Sequence, residues 1–396
     1  MNIQHQLQDY FSTLQVVNTH CHHLRDDFFT DVTLHDILSA SYTSWIAPPF
    51  TDSPEDISRL FQTMSVNSYT YWMTDAVGRL YLEGERLTQT NYPLADQVLR
   101  ERYRIDPRHH IALLTDVCNY QTVILDDYHH PGSNHQLAFV RPTFRCDMFL
   151  FGGRREGQDQ NGNRPGAYLS GSPQNLQEYL DEIGLAIDCK MAENGCRSLK
   201  LAIAYERGLD FTAFDWNKAE AAFQGSDTPE DRKAFQDVVV DSLCTLAAER
   251  NIPFQIHTGL GQLYHTNALW LASLITRHPK TSFVLFHASY PWMEDVLALA
   301  HNHRNVYPDL CWLPLLSTAA AERFLSEALD LLDAGRLTWG CDTWTGEESY
   351  GALLSIRFVL SKVLARKVTE GFYSMTYAKE LGTRILAGNA KELYRL

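Results

Sequence analysis

Three observations predict an α/β chain folded as a (β/α)8 TIM barrel. Eight short β-rich runs follow one another, helical patterns stand between most of them, and the runs are nearly continuous in apolar or β-branched residues. Strands buried on both faces read this way, and repeated strand–helix alternation is the pattern of a parallel sheet wrapped by helices.

The runs, in order, are "LQVVNTHCH" (14–22), "QTVILDD" (121–127), "LAFVRPTFR" (137–145), "SLKLAIAY" (198–205), "IPFQIHTG" (252–259), "SFVLFHAS" (282–289), "NVYPDLCW" (305–312) and "LTWGCDTW" (337–344). The seventh is the weakest, because Pro308 has no N–H for the ladder. Helical patterns at 176–195, 231–251, 268–279, 291–303 and 319–335 precede strands four to eight, and Gly195 stands where a C-cap is expected.

The rhythm breaks twice. The segment from about Leu34 to Arg104 is rich in Trp, Tyr and Phe ("SYTSWIAPPF", "NSYTYWM") and reads as a helical insertion over the barrel mouth after the first strand. The polar, Gly-rich stretch 151–173 reads either as a mobile lid or as a disordered loop. No repeat, low-complexity tract or linker divides the chain, so residues 1–396 are expected to form a single domain.

Of the 396 residues, 45% are hydrophobic and 21% charged, the balance of a folded chain with a sizeable core. A net charge of −14 argues against nucleic acid or an anionic membrane surface as the main partner. The expected partner is a small-molecule substrate, with homo-oligomer formation left open. No stretch approaches the roughly 18 consecutive apolar residues of a membrane span. "MNIQHQLQDYFSTLQ" lacks the regions of a secretory signal, and the eight irregularly spaced cysteines contain no CxxC pair. Reduced thiols in a cytoplasmic protein are therefore expected. "GLGQ" after His257 lacks the spacing of a dinucleotide loop, and no GxSxG elbow is present.

Chemistry enters with the histidines. In a chain with 16 of them, HxH alone is a weak signal. Its context decides. "HNH" at His301–His303 ends a helical pattern, where residues i and i+2 point to nearly opposite sides. His20 and His22 end a strand, where i and i+2 share a face and both imidazoles can reach one ion. His257, His287 and Asp342 lie near the C-terminal ends of the fifth, sixth and eighth strands, the end at which such barrels build their sites. Nitrogen and oxygen donors of this kind suit zinc or another first-row divalent ion. His23, His129, His130 and His135 read as loop residues. Arg141, Arg145 and Arg207 stand near strand ends, where a substrate carboxylate or a surface salt bridge explains each equally well.

In order and context, "NTHCH", "QIHTG", "LFHAS" and "GCDTW" resemble the amidohydrolase superfamily: HxH after strand one, a histidine after strands five and six, an aspartate after strand eight. With "SLKLAIAYERGL" and "ILAGNAKELYRL", the likeness points to the amidohydrolase-related branch (amidohydrolase 2), which includes metal-dependent decarboxylases and domains fused to glutamine synthetase-like domains. The long insertion is more distantly similar to uronate isomerases. One departure is Asn18, where the family commonly has Asp; an asparagine there can still brace the loop by hydrogen bonding.

The resemblance implies one divalent ion, Zn2+ by preference, held by His20, His22, His257 and Asp342, with a second ion if Lys200 is carboxylated; Lys200 can equally bind substrate. It implies hydrolysis of a small, carboxylate-bearing amide, lactone or ester, with Asp342 as general base and then acid. His287 would polarise a carbonyl. A decarboxylase, a uronate-type aldose–ketose isomerase and a non-catalytic binding domain are the alternatives.

Overall fold

The computed structural model describes residues 2–153 and 156–396; Arg154 and Arg155, within the stretch read as a lid or disordered loop, lie outside the described residues. Among the described residues, seven strands are present: β1 (Val16–Cys21), β2 (Tyr120–Leu125), β3 (Val140–Arg145), β4 (Ser198–Leu201), β5 (Phe254–Ile256), β6 (Phe283–Leu285) and β7 (Val306–Pro308). They are hydrogen-bonded in chain order in one sheet. From β3 to β7 every pairing is parallel, with Arg145 opposite Lys200, Lys200 opposite Gln255, Gln255 opposite Val284 and Val284 opposite Tyr307. Pro308 is the last residue of β7, where its missing N–H interrupts no later rung.

The expected eighth strand is the one correction to the element list. The 337–344 run forms no regular strand: Thr338 makes a single parallel bridge to Asp309. Further along, Asp342 takes a left-handed backbone (φ 57°) that an extended ladder cannot continue. The other strands are shorter than their apolar runs; β4 and β6 are cut short where "AIAY" and "FHAS" turn into 3-10 segments at Ile203–Tyr205 and Phe286–Ser289.

By its contacts the chain divides into two compact units. The first comprises Met1–Val123, Leu310–Asp330 and Trp339–Gly388. Its aromatic-rich 34–104 stretch folds as helices Leu34–Ala40, Thr43–Ile46, Pro54–Met64, Ser68–Tyr81 and Tyr92–Ile105. Their apolar faces meet in a core that includes Phe29, Ile37, Ile57, Val77 and Leu99. The long Gly346–Thr369 helix also belongs here; Thr345 caps it by accepting the Glu348 N–H at 3.3 Å, so the helix begins directly after Thr345.

The second unit comprises Ile124–Asp309, Leu331–Thr338 and Asn389–Leu396. Helices Leu176–Asn194 and Pro229–Arg250 precede β4 and β5 as expected, and each ends on a left-handed residue, Gly195 (φ 69°) and Asn251 (φ 52°). The described part of the 151–173 loop is ordered around Asp159. Its carboxylate accepts the N–H groups of Asn161 and Asn163, both at 2.9 Å, while the Asn163 amide donates to the Tyr128 carbonyl at 2.8 Å. Among the described residues, no helix is long and apolar enough to cross a membrane.

Candidate metal centre

In the first unit, β1 is buried along its whole length, and its end is zipped to the 339–343 segment by main-chain hydrogen bonds. Thr19 N–H donates to the Trp339 carbonyl (3.2 Å), Asp342 N–H to the His20 carbonyl (2.9 Å) and His22 N–H to the Thr343 carbonyl (2.9 Å). Gly340 makes this approach feasible, since a Cβ there would lie 2.7 Å from the His20 nitrogen. The zip sets Asp342 against His20 in the strand and His22 just after it. One oxygen, Oδ1, lies 3.0 Å from His22 Nε2 and 3.4 Å from His20 Nε2. The two imidazoles are almost perpendicular, with centroids 4.7 Å apart. All three residues are buried, and their donor atoms lie within 4.8 Å of one another. Two imidazole nitrogens and one carboxylate oxygen converging in this way fit a divalent first-row ion.

Beneath the trio runs a neutral network centred on the buried thiol of Cys341. Its sulfur accepts from Asn18 Nδ2 (2.9 Å), Thr343 Oγ1 (3.0 Å) and Ser349 Oγ (3.3 Å), while the thiol faces the His20 carbonyl at 3.5 Å. Asn18 Oδ1 accepts the N–H groups of Cys341 (2.9 Å) and His20 (3.3 Å). Asn18 therefore braces both sides of the zip, and its amide supplies a donor to sulfur that an aspartate would lack. Burial pushes the Cys341 thiol up, with the hydrogen bonds from Ser349, Thr343 and Asn18 opposing it, which keeps the sulfur protonated. His23, expected only as a loop residue, does follow β1 in a loop but is buried, with Nε2 3.2 Å from Ser349 Oγ. Tyr120 OH lies 3.1 Å from the same hydroxyl.

In the second unit, His257 and His287 face each other. His257 directly follows β5, its N–H bonded to the Leu201 carbonyl at 2.9 Å. His287, Ala288 and Ser289 are three successive left-handed residues (φ 62°, 45° and 54°) as β6 ends. Such backbone costs about 1–3 kcal/mol per residue and persists where the surroundings over-determine it. His287 Nε2 and His257 Nδ1 are 3.0 Å apart, and His257 Nε2 meets the Leu260 carbonyl. A carbonyl only accepts, so His257 carries its hydrogen on Nε2, keeps its lone pair on Nδ1 and accepts there from His287. The Tyr205 ring packs against His257 with centroids 4.5 Å apart.

Lys200, on β4, is buried with its ammonium 3.9 Å above the Phe286 ring. Its opposite number on β3, Arg145, is clamped by two buried carboxylates. It meets Asp126 through Nε (3.1 Å) and Nη2 (2.5 Å), and Asp147 through Nη1 (3.0 Å). Arg145 is thus committed internally. So is Arg207, 2.9 Å from Asp237 Oδ1, whereas Arg141 donates to the Ala138 and Val140 carbonyls. None of the three is held out for a substrate carboxylate. Burial pushes the Asp147 carboxyl up to about 6, with Arg145 pulling the other way.

Sequence reasoning passed over the Cys341 network and Glu348. Glu348 is buried, and its two oxygens accept the N–H groups of Tyr42 (3.2 Å) and Trp344 (2.9 Å). The signal was the adjacency of "GCDTWTGEES" to a proposed ligand, but which of its polar groups turn inward is set by the zip.

Comparison with known proteins agrees with this fold. The chain is similar to the uronate isomerase of Thermotoga maritima over 100% of its length and 98% of that chain, with a TM-score of 0.80 at 17% identity. It is similar to the glucuronate isomerase of Caulobacter crescentus over 99% and 94%, with a TM-score of 0.77 at 17% identity. A Lactobacillus casei protein assigned as a metal-dependent hydrolase aligns over 98% and 97%, with a TM-score of 0.68 at 17% identity. At such identities the likeness is one of fold. Protein fluG of Emericella nidulans is 32% identical over 227 residues, which are 52% of this chain and 26% of fluG, so the chain spans about a quarter of that relative's length. The amidohydrolase family model Amidohydro_2 matches residues 192–396, more than half of the sequence. With a parallel α/β sheet, and His257, His287 and Asp342 all inside the matched region, the chain belongs to the Amidohydro_2 family of amidohydrolases.

Proposed function

We propose that this chain is a metal-dependent enzyme that hydrolyses a small amide, lactone or ester. The carrying observation is the buried trio of His20, His22 and Asp342, two imidazole nitrogens facing one carboxylate oxygen. His257 completes the proposed ligand set, and zinc is the ion such donors favour. When bound, a divalent ion supplies Lewis acidity and an acidified water near neutral pH.

The chain's own residues do the rest. Asp342 takes the proton of the attacking water and passes it to the leaving group. His257 keeps a lone pair on Nδ1, and once His287 no longer gives its N–H there, that hydrogen is available to a developing oxyanion. Lys200, buried against Phe286, serves as a substrate contact or, carboxylated, as the bridge to a second ion.

A second reading, uronate-type isomerisation, draws support from the full-length fold likeness to two sugar-acid isomerases. In it Asp342 and His287 would move protons between adjacent carbons. Elemental analysis of the purified chain beside His20→Ala and Asp342→Ala tests the centre: both variants should lose the ion, and unchanged metal in both defeats the assignment. Turnover on amide, lactone and ester panels against glucuronate then separates hydrolysis from isomerisation.

A further inference from the structure

Among the described residues four lysine or arginine side chains are buried: Arg145, Lys200, Arg357 and Lys367. Three of them have compensation. Arg145 holds Asp126 and Asp147, Lys367 meets Asp330, and the Lys200 ammonium lies over the Phe286 ring. Arg357, on the Gly346–Thr369 helix of the first unit, is 6% exposed and differs. Its Nε and Nη2 are buried without a hydrogen-bond acceptor, and no described carboxylate pairs with it. A guanidinium stays protonated in proteins, so this charge cannot be relieved by losing a proton. A buried charge without a partner is among the costliest features a fold can carry.

The groups around Arg357 supply donors rather than a countercharge. Helical side chains lean towards the N-terminus, so Arg357 reaches back along its own helix face towards Tyr350, two turns earlier. Cys118, directly after the Leu113–Val117 turn, and Tyr120, at the start of β2, bear on the guanidinium as well. The Tyr120 hydroxyl is engaged, 3.1 Å from Ser349 Oγ. Burial pushes the Cys118 thiol and the Tyr350 phenol up, so both keep their hydrogens and can give them.

The nearby acids are already committed. Glu347 accepts the Tyr81 and Tyr103 hydroxyls on Oε1 at 2.7 and 3.0 Å, and burial pushes its carboxyl up. On the Ser68–Tyr81 helix, Asp75 is divided between Arg79 (2.9 Å) and Arg86 (3.9 Å), and Arg79 also bears on Tyr350. Three arginines against one aspartate make this corner positive in a chain whose net charge is −14.

We propose that Arg357, Cys118 and Tyr350 form a site for one small monovalent anion, chloride, which supplies the countercharge that no side chain provides. Charge matching selects the class. One halide neutralises one guanidinium, whereas a phosphate or sulfate dianion would leave a further charge uncompensated away from water. A spherical ion also accepts N–H, S–H and O–H donors from several directions, as these three residues present them. Bound there, it braces the long helix against the turn that leads into β2, a structural role separate from the proposed chemistry.

Thermal unfolding of the full chain in sodium chloride and in sodium gluconate at equal ionic strength tests this. Chloride should raise the midpoint saturably, by about 3 °C, and the bulkier gluconate should not. Crystals grown with bromide in place of chloride should show anomalous density beside Arg357 Nε and Nη2. Arg357→Met keeps the length and removes the charge, so it should abolish the chloride-specific shift, while Arg357→Lys should retain part of it. Tyr350→Phe removes a single donor, and should weaken the apparent chloride affinity several-fold even if Arg357→Met does not fold. Midpoints that follow ionic strength alone, or a chloride shift that persists in Arg357→Met, overturn the proposal. So does a water in place of bromide at the guanidinium, or a chloride affinity indifferent to Tyr350→Phe.

Discussion

Two buried carboxylate clusters in this molecule look alike in a list of residues and differ in what they can exchange. In the first unit, Asp342 faces the imidazoles of His20 and His22. In the second, Asp126 and Asp147 face the guanidinium of Arg145. A neutral imidazole already has a lone pair on one ring nitrogen to present to a cation, whereas a guanidinium never deprotonates and offers five donors in a fixed fork. The first arrangement can take up an ion without leaving an orphaned charge. The second is already neutralised and can only be broken. Acidic side chains near strand ends thus divide into chemistry and architecture by the proton inventory of their partners.

The largest effect should come from breaking the exchangeable cluster. Asp342→Ala is expected to lower turnover by about 10³-fold, since it removes both a proposed ligand and the proposed proton carrier, with metal loss read by elemental analysis. Breaking the permanent cluster should instead show in folding. Arg145→Ala leaves two buried carboxylates without their countercharge and should cost about 3–5 kcal/mol in denaturant unfolding, with the metal content of the folded fraction unchanged. Should Arg145→Ala release the ion and Asp342→Ala merely unfold the chain, the contrast would be reversed.

Smaller changes sharpen the same contrast. Cys341→Ala removes the acceptor shared by Asn18, Thr343 and Ser349 and should cost about 1–3 kcal/mol, while Cys341→Ser keeps most of the loss from appearing; thermal unfolding measures both. Asn18→Asp should weaken zinc affinity without restoring the family's usual pattern, because the carboxylate cannot donate to sulfur. A pH-dependent effect concerns Glu348. Burial pushes its carboxyl from 4.5 up to about 8, against the backbone N–H bonds that pull it down. The folded chain then holds a proton that the unfolded chain has released, so this contribution is full below 4.5 and is lost as pH rises through about 8. Glu348→Gln should flatten that part of the stability–pH curve.

The sheet was legible because parallel strands buried on both faces leave continuous apolar runs, and seven of the eight expected runs contain one. The eighth was misread for a local reason: "LTWGCDTW" is apolar enough for a strand, yet Gly340 and the left-handed Asp342 bend it around β1. Strand periodicity places His20 and His22 on one side at the end of β1, whereas "HNH" falls at a helix end, His301 lying exposed on the Met293–Asn302 helix and His303 capping it. Arg145 was not legible, because an arginine at a strand end looks the same in sequence whether it awaits a substrate or already holds two aspartates.

Sequence alone determined the periodicities: which segments become strands, which become helices, and which pair of histidines shares a strand face. These are properties of neighbouring residues, fixed by backbone geometry and local burial. Tertiary structure alone decided partnership. It brought Asp342 onto the strand of His20, turned Asn18 towards Cys341 rather than solvent, and gathered Tyr42, Trp312 and Trp344 around one another. Partnership between residues far apart in the chain depends on how the whole polymer closes, and no local pattern encodes that.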